Sequence, residues 1–110
     1  LRRAMGLNRK AGYLYYLLLG RAYYFLEDCG LAEINLAEAI RRNSASVEAR
    51  LYQTACLVRA GELDQAEWEV EEILGLDADF TIGRFLQTYP MTDGQQIATL
   101  TMSLRQAGLP

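Results

Sequence analysis

The feature that most constrains this chain is a self-similarity at a fixed shift of 34 residues. Sliding the sequence by that amount lays Leu17 on Leu51, Ala32 on Ala66, Glu33 on Glu67 and Glu38 on Glu72. Similar residues also meet: Tyr23 with Leu57, Leu36 with Val70, Ala39 with Ile73 and Ile40 with Leu74. A further shift brings Leu100, Leu104 and Ala107 to the places of Ala66, Val70 and Ile73. A period of about 20–50 residues marks a repeat architecture, in which one unit cannot bury its own apolar face and neighbours stack to cover it.

The repeating unit reads as helix. Pro90 and Pro110 are the only prolines, and strand-type alternation is missing. Gly30, Gly61, Gly94 and the polar cluster Asn43-Ser44-Ala45-Ser46 separate blocks of helical length. Asp64-x-x-Glu67 and Thr92-x-x-Gln95 predict helix starts of the capping-box kind. Gly108 followed by Leu109 and Pro110 predicts a left-handed helix end. Pro90 is expected to interrupt a helix beginning near Phe80, with a closing helix from Thr92 to Ala107. The most apolar block, Tyr13 to Leu26, carries one charge, Arg21. Its fourteen residues fall short of the about 20 that a membrane span requires. No membrane partner is therefore expected.

Composition narrows the function. A chain of 110 residues has room for one domain. A net charge of −3 gives no reason to expect nucleic acid, whose binders usually carry a basic surplus. With no histidine, the segment excludes Ser-His-Asp and Cys-His catalysis and any histidine-ligated zinc site. No catalytic residue, metal site or cofactor is expected. Cys29 and Cys56 lack CxxC spacing and fit a cytoplasmic setting. Starting at Leu1 without a signal-like pattern, the sequence reads as a piece of a longer chain.

These residues resemble the tetratricopeptide repeat family. In residues 13–46 its pattern falls on Tyr16, Leu19-Gly20, Tyr23, Ala32, Leu36, Ala39 and Ser44. In residues 47–80 it falls on Arg50, Gln53-Thr54, Leu57, Gly61, Ala66, Val70, Ile73 and Ala78, and neither unit has the closing proline. The resemblance implies an all-α, right-handed superhelical solenoid of antiparallel helix hairpins, about two and a half repeats plus a C-terminal capping helix. Residues 1–12 would end a preceding helix, 13–46 and 47–80 would be two units, and 81–110 an altered third unit with the cap. Close packing of each hairpin would set Gly20 against Ala32 and Thr54 against Ala66.

The end of the chain is similar to the C-terminal segment of certain bacterial regulators. It carries Leu76-Asp77-x-Asp79-Phe80, Phe85-x-x-x-Tyr89-Pro90, Asp93 and Leu104-Arg105-x-Ala107-Gly108-Leu109-Pro110. In those proteins a cyclase-like or winged-helix domain precedes the repeats. The resemblance implies a non-enzymatic protein–protein interaction module in a larger bacterial signalling protein. A free-standing scaffold or co-chaperone adaptor is the alternative.

In such repeats the first helices line a groove that holds an extended peptide or a helix. By register the groove places are Leu14, Leu17, Arg21, Tyr24 and Phe25, then Glu48, Leu51, Ala55, Val58 and Arg59. The family's carboxylate-clamp places hold Leu17 and Arg21, so a free acidic tail is not the expected ligand. An amphipathic segment with an acidic residue suits the groove better, and it comes from another protein or from elsewhere in the parent chain. Self-association through the exposed end of the repeats is also expected. The eight acids between Glu62 and Asp79 read as a solvated face. Cys56 is expected in a packed interface and Cys29 in a turn. Trp68 either covers the core edge or marks an interface.

Overall fold

A computed structural model describes residues 9–88 and 93–110. Among them are six α-helices and no strand, as the all-helical reading expects. The helices are α1 Arg9–Phe25, α2 Cys29–Arg42, α3 Val47–Arg59, α4 Leu63–Leu76, α5 Ile82–Thr88 and α6 Gly94–Ala107. Contacts divide the chain into two compact units, one ending at Gln53 and the other beginning at Thr54, inside α3.

In the first unit α1 pairs with α2. Leu17, Gly20 and Tyr24 are buried on α1, and Ala32, Leu36 and Ala39 are buried completely on α2. Gly20 is where the two helices press together. A Cβ there would lie 2.5 Å from Leu36 Cδ2 and Cγ, and 3.3 Å from the Leu36 nitrogen. The neighbour is thus Leu36, where the sequence pattern pointed to Ala32. Helical side chains lean toward the N-terminus of their helix, so Leu36 reaches back over the turn that carries Ala32. Residues 9–12, expected to end a separate helix, run on into α1. Gly12 alone costs a helix only about 1 kcal/mol and does not stop it.

The 34-residue period is written into the backbone. At Glu27 the chain turns left-handed (φ 62°), and at Gly61 it does so again (φ 79°). Around the first turn Leu26 N–H donates to Ala22 O, Glu27 N–H to Tyr24 O and Asp28 N–H to Tyr23 O. Around the second, Ala60 donates to Cys56, Gly61 to Val58 and Glu62 to Leu57, each acceptor 34 residues on. The connectors after α2 and α4 match in the same way. Asn43 N–H donates to Ala39 O and Ser46 N–H to Asn43 O, while Asp77 donates to Ile73 and Phe80 to Asp77. Even the side-chain turns repeat: Ala45 N–H reaches Asn43 Oδ1 and Asp79 N–H reaches Asp77 Oδ1, both at 3.2 Å.

Caps settle where helices begin. Asp28 accepts from Leu31 N–H at 3.1 Å, and Ser46 Oγ accepts from Ala49 N–H at 3.1 Å. Asp93 accepts from Gln95 and Gln96 N–H. That moves the expected start of α6 one residue beyond Thr92, which lies outside the described residues along with Pro90. Asp64 is not the cap of α4; Glu62 is, without a side-chain bond, and Asp64 sits in the first turn. There an acid still favours the positive end of the helix dipole.

In the second unit α4 packs against α6. Ala66, Val70 and Ile73 are buried on one, and Leu100, Leu104 and Ala107 on the other. Gly108 takes the expected left-handed conformation (φ 111°), and Leu109 N–H donates back to Leu104 O at 3.1 Å. The chain then folds over α5. Pro110 O accepts from Ile82 N–H at 2.8 Å, with Leu109, Phe80 and Ile82 buried. The Leu-Pro tail therefore has a packing reason.

Gly20→Ala opposes two effects of known size. Alanine gains about 1 kcal/mol of helix propensity, and overpacking costs about 1–3 kcal/mol. Because Leu36 is fully buried, the clash should win. Denaturant unfolding of the variant should show a net loss of about 1 kcal/mol, and a gain would refute the close approach.

Candidate functional site

Ten residues were expected to line a groove, and the structure treats them unequally. Leu17, Tyr24, Leu51 and Ala55 are buried, so they are not available as a contact surface. Arg21, Phe25, Glu48 and Val58 are partly covered, while Leu14 and Arg59 are exposed. Within the first unit, Arg21 and Glu48 form an ion pair at 3.2 Å. The guanidinium expected to attract an acidic partner already has one. Tyr24, Phe25 and Tyr52 gather into an aromatic cluster, with ring centroids 5.0 Å, 5.6 Å and 5.9 Å apart. Edge-on and tilted contacts of this kind add to the apolar burial. Ala55, Val58 and Arg59 belong to the second unit.

Three polar links hold the start of α3 within the first unit. The Tyr13 and Ser46 hydroxyls share a hydrogen bond at 2.7 Å, and Arg21 reaches Glu48. Arg50, buried in the place of the family aromatic, donates through Nε and Nη2 to Ser44 O at 3.2 Å and 3.0 Å. Arg42 lies over the Tyr16 ring, 5.0 Å from its centroid.

The surface that is open lies elsewhere. Leu14, Leu18, Ala22 and Leu26 recur every four residues along α1 and just past its end, with Tyr15 beside them, and all are exposed. Residues four apart share one helix face, so this is a continuous apolar stripe. Leu31 and Ile34 are exposed on α2. The sequence reading counted Leu14 in the groove and passed over Leu18 and Ala22. Their spacing from Gly20 was the available signal.

Carboxylates form no catalytic group. Among the described residues no cluster of three His, Cys, Asp or Glu is placed to hold a metal ion. Glu62, Asp64, Glu67, Glu71 and Asp79 are exposed, as a solvated face requires, but Glu69 is buried. Asp77 pairs with Arg84. A shallow depression of about 280 Å³ is lined by Asp64, Gln65 and Trp68. Trp68 stands half-exposed at its edge. Neither cysteine is a free thiol: Cys29 and Cys56 are both disulfide-bonded. This replaces the expected reactive Cys29. No helix among the described residues is long and apolar enough to cross a membrane.

One carboxyl is displaced from its ordinary range. Hydrogen bonds from Arg41 at 2.5 Å and 2.8 Å, and from Arg42 at 3.0 Å, hold Glu38 down to about 2. A carboxyl depressed by folding contributes stability that is complete above the unfolded value, near 4.5, and lost as pH falls toward about 2. A carboxyl-resolved NMR titration should therefore place the Glu38 midpoint below the usual carboxylate range. Glu38→Gln should flatten the acid side of the stability curve only inside that window. Iodoacetamide should label neither cysteine until a reductant is added, and labelling without reductant would contradict the bonded state.

Comparison with known proteins leaves this geometry to speak for itself: no family model, curated protein or solved structure matches the chain.

Proposed function

We propose that this chain is a protein–protein interaction module of the tetratricopeptide-repeat kind, part of a larger bacterial signalling or transcriptional regulator. The observation that carries the reading is the recurrence, 34 residues apart, of both left-handed turns and of the connector hydrogen bonds. Such recurrence is what stacked helical hairpins in a right-handed solenoid require. Exposed apolar residues on α1 and α2 are the second support, because monomeric proteins rarely leave large contiguous apolar patches open.

The module binds and does not catalyse. Its ligand is an amphipathic helix rather than an acidic C-terminal tail. Leu17 at one clamp place is buried, and Arg21 at the other is held by Glu48, which disfavours the co-chaperone alternative. The regulator reading goes with the cytoplasm. The bonded state of Cys29 and Cys56 weighs against that compartment, where thiols are normally kept reduced.

A panel of amphipathic helical peptides, varied at their i, i+4 and i+7 anchors, would be titrated into the isotope-labelled chain. Saturable shifts at Leu14, Leu18, Leu31 and Ile34 are expected, with no response to a peptide ending in acidic residues. Silence across the helical panel, or binding of the acidic tail alone, would remove the proposal.

A further inference from the structure

We infer that the α1 stripe is a two-fold interface, on which a second copy of this chain docks with its own α1 antiparallel. The proposal names one partner for the interaction module above, and it uses a surface outside the groove register.

Charge order along α1 is the first argument. The helix begins with Arg9 and Lys10, has no acid in its first turn and no base in its last, and is followed by Glu27 and Asp28. Positive charge at the N-terminus and negative charge at the C-terminus both oppose the helix's own dipole. An antiparallel neighbour reverses that cost, because each basic start then lies beside the partner's acidic end.

Register is the second. Setting Leu18 against its symmetry mate pairs Leu14 with Ala22 of the other copy, and Arg9 with Glu27. One alignment thus matches large with small and basic with acidic. Self-complementarity of this kind is the requirement for a closed two-fold interface. Between Leu14 and Leu26 the exposed residues Leu14, Tyr15, Leu18, Ala22 and Leu26 carry no charge to desolvate.

Area is the third. Leu14, Tyr15, Leu18 and Leu26 are 51%, 59%, 50% and 73% exposed. With Ala22 they offer roughly 500 Å² per copy, or about 1,000 Å² in total, at the lower bound for a specific interface. The dimer is accordingly weak and reversible, with a Kd on the order of 10–100 µM.

Sedimentation of the whole chain from about 5 µM to 1 mM tests this, using the predicted range of Kd. A monomer–dimer equilibrium is expected. Leu18→Glu, which sets two carboxylates on the two-fold axis, should weaken it at least tenfold with helix content unchanged by circular dichroism. Arg9→Glu with Lys10→Glu should weaken it several-fold, and adding Glu27→Lys should restore it, which a parallel pairing would not allow. A chain monomeric throughout would overturn the proposal and leave the stripe to another segment or another protein, and the peptide titration reads that case separately. A dimer indifferent to Leu18→Glu, or a charge reversal without rescue, would overturn it equally.

Discussion

The contact on which the first unit depends is the meeting of Gly20 with Leu36. Two helices approach this closely only where one of them has no side chain, and that fixes more than a distance. It fixes how α1 is rotated. With Gly20 facing inward, Leu17 and Tyr24 follow it into the core. Leu18 and Ala22 lie about 200° round the helix and are turned out. The apolar stripe is the geometric remainder of the glycine contact.

An aromatic and leucine-rich helix would bind its neighbours in several rotations if packing alone decided. Polar groups at its edges remove that freedom. Tyr13 reaches Ser46, Arg21 reaches Glu48, and Arg42 covers Tyr16. Ser46 serves twice, as partner of Tyr13 and as cap of α3 through Ala49. The hydrogen bond that starts α3 is thereby tied to the position of α1. Arg50 adds a bond from within α3 to the connector carbonyl of Ser44. Each of these bonds is individually modest, about 0.5–1.5 kcal/mol for a neutral pair. Their value lies in registering the helices.

Much of this was legible in the residues, and the failures have physical causes. Helix content, the 34-residue period, the left-handed Gly61 and Gly108 and the buried Ala32, Ala39 and Ala66 follow from spacing and residue size. The cap of α4 was misplaced because an acid at the N-cap and one in the first turn are equivalent to a pattern, though only backbone position decides which bonds form. Leu36 was missed as the neighbour of Gly20 because register places Cα atoms while the contact is made by a leaning side chain. The groove assignment assumed one buried face on α1. Tyr24 and Phe25 instead join Tyr52 and close part of that surface. The bonded state of two distant cysteines has no signature in spacing at all.

Glu27 carries a consequence beyond its own turn. It holds a left-handed conformation that costs a side-chain-bearing residue about 1–3 kcal/mol, where the equivalent place 34 residues on has glycine. The surrounding hydrogen bonds nevertheless match one for one. What recurs in this chain is a set of backbone donors and acceptors, and the side chains over it are free to diverge until the likeness fades from the letters. Descent in such a chain is recorded in its carbonyls and amides, beyond the reach of any comparison that reads only side chains.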